Sequence, residues 1–169
     1  MSLRKILSNE SHFYLMHLSF NGQQREDLWK YAQEHDVIGL DYPRIVDRNW
    51  NFFNKQLMLP KHKVWFKQFE MFCNEMPRED NALVIVVSGW DSILGIGRIH
   101  QAQYQYDKRL SDDGIFFDHY MKIKWLPKYS KNYADRIMLD QRLSGFNRTL
   151  IKVEPGTRFW EILSEVDLV

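Results

Sequence analysis

The chain has 169 residues, 44% of them hydrophobic, and a formal net charge of only +1. This length and composition predict a single globular domain over residues 1–169 with its own core. A charge so close to zero excludes a strongly cationic coating protein, so any contact with nucleic acid must come from a local basic surface.

Cysteine usage and hydropathy indicate the environment of this domain. Cys73 is the single cysteine, which excludes an intramolecular disulfide and a cysteine-rich zinc site. It favours a reducing compartment, and we expect a cytoplasmic location. The chain has no run of about 18 apolar residues, so we expect no membrane partner.

In the first half of the chain, the sequence pattern predicts alternating strands and helices. Apolar spacing and turn residues predict a strand over Phe13–Ser19, a helix over Gln24–His35 and a strand over Val37–Leu40. Proline at 43 restricts the residue before it, so the third element ends near Tyr42. A helix over His62–Met76 follows, with one face predicted to pack in the core: Trp65, Phe69, Phe72, Cys73 and Met76.

The second half is richer in strands. The continuous apolar run Ala82–Ser88 indicates a central strand. We expect a hairpin turn with Trp90 at its tip to follow and to lead into a strand that begins at Ile93. Gly95 and Gly97 lie inside that strand, where glycine marks a bend or the close approach of another group. The remaining predicted elements are a strand over Met121–Leu126, a short helix within Tyr133–Leu143, a strand over Arg148–Val153 and a helix over Arg158–Ser164. Without strict βαβ alternation, this order favours an α+β fold with a mixed β-barrel and peripheral helices.

The chain has no motif typical of an enzyme. Its histidines form no His-x-x-x-His pair, and Gly95-Ile96-Gly97 lies inside a strand and lacks the third glycine of a dinucleotide loop. The adjacent carboxylates Glu79 and Asp80 are expected to be solvated turn residues. We therefore expect no metal, no cofactor and no catalytic activity.

Several segments resemble EVE-type domains, in the same order along the chain. The segments are Val37–Asp47, Phe69–Val87, Ile93–Ile99, Tyr104–Asp107 and His119–Leu126. The closing segment Leu150–Leu163 is similar to the end of the related YTH domains.

This resemblance implies a PUA-like β-barrel that reads modified nucleic acid. EVE and YTH domains bind a methylated or otherwise modified base in an aromatic pocket. Some EVE-like modules are the specificity domain of McrB-type restriction GTPases. The expected partner is therefore modified DNA, together with a fused or associated NTPase or nuclease of a restriction or defence system. Two alternatives are a YTH-type reader of methylated RNA and a nucleobase-processing enzyme on the same barrel, for which His17 and Asp41 would supply the acid–base pair.

Position by position, the resemblance places the pocket at four points of the chain. Tyr42 and Trp90 are the expected aromatic walls, while Ser19 and Asp41 are expected to bind the base edge. Asp41 can accept a hydrogen bond from an exocyclic amine, which favours adenine or cytosine. The remaining pocket candidates are His17, Leu18, Trp50, Trp125 and Tyr104. For Trp125 the alternative is a core or barrel-closing residue, and for Trp50 it is an anchor of its loop.

Basic residues near these segments are candidates for contact with the nucleic-acid backbone. They are Arg44, Arg48, Lys55, Arg98, Lys122, Lys124 and Arg148. For each of them a solvated surface position is the alternative, because the charges of the chain are balanced overall.

Overall fold

A computed structural model describes residues 2–18, 25–40, 49–50, 63–100, 103–109, 117–143 and 149–167. Its helices are α1 Leu3–Leu7, α2 Arg25–His35, α3 Lys63–Glu70 and α4 Arg158–Ser164. Its strands are β1 Phe13–His17, β2 Val37–Leu40, β3 Leu83–Ser88, β4 Ser92–Ile99, β5 Gln105–Tyr106, β6 His119–Trp125, β7 Ile137–Met138 and β8 Leu150–Val153. Among these residues, no helix is long and apolar enough to cross a membrane.

The strands form one mixed sheet in the order β2-β6-β4-β3-β1-β8, with β5 added to β6 and β7 added to β4. Strands β1 and β3 are parallel, and the other pairs are antiparallel. The sheet is strongly curled and forms a half-barrel with a few helices around it. The predicted mixed α+β class is therefore confirmed at this level.

Both faces of the central strands are buried. On the inner face, apolar side chains of the sheet pack with those of α2 and α3, among them Leu28, Trp29 and Phe69. On the outer face, a second apolar cluster joins the sheet to α1 and α4 through Leu3, Leu7 and other residues. Burial on two faces explains why β3 is continuously apolar and does not alternate.

The two glycines of β4 are places of close approach. A Cβ at Gly95 would lie 2.4 Å from the Cη2 atom of Trp29, and one at Gly97 would lie 2.6 Å from the Cδ1 atom of Ile123. The pairing of β3 with β4 also shifts between Val86 and Val87, which leaves one extra residue in β4. Such a bulge bends the strand. Strand β4 thus has both features predicted from its glycines, a bend and the close approach of other side chains.

The predicted helix over His62–Met76 continues beyond α3, but its buried face is partly different. A π-helical turn, Met71–Glu75, and a 3₁₀ turn, Met76–Arg78, extend it. Phe69, Phe72, Cys73 and Met76 are buried as predicted, whereas Trp65 is 44% exposed. The expectation for Trp65 is wrong because Phe66 packs on the core in its place, 5.1 Å from the Trp50 ring.

Short elements at three places differ from the sequence prediction, and one of them is β5, which was not predicted. Within Tyr133–Leu143 the predicted helix is only a 3₁₀ turn, Tyr133–Asp135, followed by β7. The backbone here is held by the β3–β4 turn, since the Leu139 N–H donates to the Asp91 carbonyl at 2.7 Å. The short helix α1 was not predicted, and a helix of this length depends on tertiary packing. It packs beside α4, and its Leu3 N–H donates to the Val166 carbonyl at 2.9 Å.

Candidate functional site

Helix α3 connects the two margins of the curled sheet. The Phe69 ring contacts His119 at the start of β6, with ring centroids 4.7 Å apart. The preceding side chain, Gln68, accepts a hydrogen bond from the Leu150 N–H of β8 at 2.8 Å. Strands β6 and β8 are widely separated in the order of the sheet. Adjacent residues of one helix can reach both only because the curl brings the start of β6 toward β8.

The contacts of α3 thus join two groups of strand ends, which together we call the mouth of the half-barrel. It is formed by His17 and Leu18 at the end of β1, Trp90 in the β3–β4 turn, Leu40 at the end of β2 and His119 at the start of β6. Strand pairing places Leu40 opposite His119. Ring contact joins His17 to Trp90, with centroids 5.8 Å apart.

One side of the mouth is an aromatic group centred on His119. The His119 side chain is fully buried, and its strand partner in β5 is Tyr106. The Tyr106 and Tyr104 rings lie 4.8 Å and 5.9 Å from the imidazole, the second one stacked on it. Both tyrosines are half-buried, so this side of the mouth combines aromatic surface with partial access to solvent.

The hydroxyl of Tyr104 holds this group together. It accepts the backbone N–H of Trp50 at 2.8 Å and lies 2.8 Å from Nδ1 of His119. A neutral imidazole that carries its proton on Nε2 satisfies this second pair, with Tyr104 as the donor. Burial raises the pKa of Tyr104 well above its usual range, and the Trp50 N–H opposes this only in part. The hydroxyl therefore stays protonated and fixes the positions of both partners.

We expect Tyr104→Phe to lower the free energy of unfolding by about 1 kcal/mol, because the two hydrogen bonds are lost while the ring remains. Urea denaturation of parent and variant measures this difference. Tyr106→Phe is the matched control: it removes a hydroxyl from the neighbouring ring on His119. Equal stability of parent and Tyr104→Phe would contradict the role given to the hydroxyl.

The other side of the mouth contains His17 and Trp90. Gly89 has a positive φ of 66°, which a tight turn requires and glycine adopts without strain. This turn presents Trp90 with 40% of its surface exposed beside the buried His17. The Leu18 N–H donates to the Val87 carbonyl at 2.8 Å, which ties the end of β1 to β3. His17, Leu18 and Trp90, three of the predicted pocket residues, therefore lie together.

Other predicted pocket residues lie outside the described residues. Ser19, Asp41 and Tyr42 are among them, but their positions along the chain are informative. In the sequence, Ser19 directly follows Leu18 and Asp41 directly follows Leu40. The roles of these residues stay predictions.

Trp50 and Trp125 occupy the core. Trp50 stacks on Phe69 with ring centroids 5.7 Å apart. Trp125 packs edge-to-face against Trp29 at 4.9 Å, and its indole N–H donates to the Ala32 carbonyl at 3.0 Å. Trp125 is thus a core residue, one of the two alternatives for it, and Trp50 is also buried in the core, which neither of its alternatives stated.

The predicted backbone-contact residues that the structure describes share one face of the sheet. Arg98 and Lys124 are paired across β4 and β6, and Lys122 lies two residues before Lys124. Arg98 forms an ion pair with Glu10, and Lys122 donates to the His35 carbonyl at the end of α2. Lys124 is exposed. The other candidates, Arg44, Arg48, Lys55 and Arg148, lie outside the described residues.

Sequence reasoning did not select His119 or Tyr106 as site residues. Both lie in segments that resemble EVE-type domains, Tyr104–Asp107 and His119–Leu126. Alternation along β6 indicates that His119, Met121 and Ile123 point inward together, and this signal was available from the sequence. The contact of Phe69 with His119 could not be predicted from the sequence, because it depends on the curl of the sheet.

Among the described residues, no group of histidine, cysteine, aspartate and glutamate side chains could hold a metal ion. The structure is a mixed α+β half-barrel with aromatic side chains at the strand ends that α3 joins. A family model described as "Domain of unknown function (DUF8426)" matches residues 16–152, and the chain belongs to this family. The match extends from β1 to β8 and includes the whole mouth. No curated protein matches the chain, and no solved structure matches it.

Proposed function

We propose that this domain is a PUA-like barrel of the EVE and YTH kind, and that its mouth binds a modified base flipped out of DNA. One observation supports the proposal: aromatic side chains lie at both groups of strand ends that α3 joins, Trp90 in one and Tyr104 and Tyr106 in the other. In the sequence, the predicted wall Tyr42 lies two residues after Leu40, the end of β2.

The energetics suit such a reader. Extruding a base from a duplex costs a few kcal/mol. Stacking on an aromatic ring contributes about 1–3 kcal/mol per base, so two walls offset the cost of extrusion. A methyl group adds apolar surface that an aromatic pocket buries favourably. A pocket with Tyr42 and Trp90 as walls therefore prefers a methylated base over the same base without the methyl group.

Polar groups would then select the base. Asp41 and Ser19 follow β2 and β1 at the mouth and are the proposed partners of the base edge. A carboxylate accepts from an exocyclic amine, which adenine and cytosine carry and thymine lacks. The resemblance to EVE-like modules further supports a cytoplasmic targeting role beside an NTPase or nuclease in a restriction or defence system.

A panel of matched oligonucleotides tests the proposal. Unmodified, adenine-methylated and cytosine-modified DNA are titrated by fluorescence anisotropy at one stated salt concentration, since affinities depend strongly on salt. We expect the protein to prefer one modified probe over its unmodified counterpart. Equal affinity for all probes, or no binding to any of them, would overturn the proposed function.

The aromatic walls are tested by substitution. We expect Tyr42→Ala and Trp90→Ala each to weaken binding of the modified probe about tenfold or more, because one stacking contact is lost. Trp65→Ala is the matched control, since Trp65 is an equally exposed tryptophan on α3. If both wall variants keep the preference of the parent, the assignment of the walls is wrong. Conversion of free modified nucleosides into product would instead establish the enzyme alternative.

A further inference from the structure

An arginine at the mouth is held in a defined orientation by its own chain. The Arg109 side chain donates to both carboxylate oxygens of Asp107, from Nε at 2.9 Å and from Nη2 at 2.6 Å. The Arg109 backbone N–H also donates to this carboxylate, at 3.1 Å. Even so, the Arg109 side chain is 84% exposed. Asp107 therefore presents an oriented guanidinium group to solvent, where a mobile side chain would be expected.

The position of this arginine connects it to the mouth. Arg109 follows β5, whose Tyr106 packs on His119. The Asp107 N–H donates to the Asp118 carbonyl at 2.9 Å, which fixes the segment against the start of β6. Tyr106, a candidate for stacking on a base, and Arg109 thus belong to one short segment that is fixed against the start of β6.

Further cations continue from this point along the sheet. Lys108 is exposed beside Arg109, and Lys122 and Lys124 are exposed on one face of β6. Residues two apart on a strand are separated by about 6.6 Å, so these lysines form a row. Acidic residues near these cations, among the described ones, are Asp107, which orients Arg109, Asp118 before β6, Glu10, which pairs with Arg98, and Asp36 before β2.

A planar guanidinium fork fits the oxygens of a phosphodiester with two parallel hydrogen bonds, whereas a lysine offers only a point charge. Orientation by Asp107 lowers the entropy that the side chain loses when it binds. We propose that Asp107 and Arg109 form a phosphate clamp, and that it grips the DNA strand beside the base held in the mouth. This inference rests on the proposed function and adds to it the contact that anchors the strand.

The salt dependence of binding tests the clamp. The parent and Arg109→Ala are titrated with single-stranded DNA that carries the preferred base and with its unmodified counterpart, over a series of salt concentrations. We expect Arg109→Ala to weaken both by a similar factor and to reduce the slope of log K against log salt by about 0.7, the loss of one phosphate contact on a single strand. Arg109→Lys keeps the charge, so we expect it to retain the slope and lose affinity.

Arg4→Ala is the matched control, because Arg4 is an exposed arginine on α1, a helix that packs beside α4. Circular dichroism establishes that each variant is folded. An Arg109→Ala variant with the affinity and slope of the parent overturns the clamp and leaves the proposed function intact. A parent protein that binds neither probe overturns the proposed function itself.

Discussion

Replacement of Trp29 by alanine is expected to destabilise the protein by about 3–5 kcal/mol, the usual cost of removing a large buried aromatic side chain. Trp29 is only 1% exposed and packs edge-to-face with Trp125. Its ring lies over Gly95 of β4, and its indole N–H donates to the Lys131 carbonyl at 2.8 Å. The substitution thus opens a cavity between α2 and the sheet and removes a buried hydrogen bond. Chemical denaturation monitored by circular dichroism measures the loss.

Trp90→Ala serves as the control for this prediction. It removes the same side chain from the β3–β4 turn, where 40% of the tryptophan is exposed. We expect a cost of less than about 1 kcal/mol, since little buried surface is lost and no cavity forms in the core. Similar losses for the two variants would show that Trp29 does not hold α2 on the sheet.

Trp29 also illustrates which parts of the fold the sequence could predict. The helical spacing of Leu28 and Ala32 predicted α2, and both of those residues are buried. The neighbouring Trp29 was not singled out, because its role depends on Gly95, a residue distant in the chain. Gly95 was recognised as a bend or a close approach, but the sequence alone does not name the partner. Local periodicity thus predicted the elements, and the contacts between them required the structure.

In the candidate site, too, local features could be predicted from the sequence, whereas contacts between distant segments could not. The position of Trp90 at a hairpin tip and the end of β2 at Leu40 were predicted from turn residues and proline, and the structure has both. The aromatic group around His119 was not predicted, because Phe69, Tyr104 and His119 come from three separate segments. Only the curl of the sheet and the position of α3 bring these segments together.

Turn composition predicts a solvated side chain at Glu79, and the structure shows that this prediction is wrong. Its carboxylate receives hydrogen bonds from Lys152 at 2.8 Å and from His12 at 2.5 Å, and the side chain is only 28% exposed. Because Lys152 lies in β8 and His12 precedes β1, Glu79 links the turn before β3 to both. The distance of these partners in the sequence explains why the turn composition alone was misleading.

We expect Glu79→Gln to lower the free energy of unfolding at neutral pH by about 2 kcal/mol, the scale of hydrogen bonds to a charged group. Partial burial acts to raise the pKa of Glu79, but hydrogen bonds from Lys152 and His12 outweigh it and hold the pKa below its ordinary value of 4.5. A lowered pKa in the folded state means that the unfolded chain binds a proton first as the pH falls. The contribution of Glu79 is therefore complete above the ordinary pKa and is lost as the pH falls below it through the folded value.

Urea denaturation of the parent and Glu79→Gln from pH 7 down to pH 3 measures this dependence. The difference in stability should be largest near neutrality and should shrink steadily below about pH 4.5. Asp80→Asn is the control, because Asp80 is the next carboxylate in the same turn but its side chain is exposed. We expect that variant to stay within about 0.5 kcal/mol of the parent throughout. A constant difference between parent and Glu79→Gln over the whole range would show that the carboxylate charge of Glu79 contributes nothing, because a charge-dependent contribution must disappear once the group is protonated in both states.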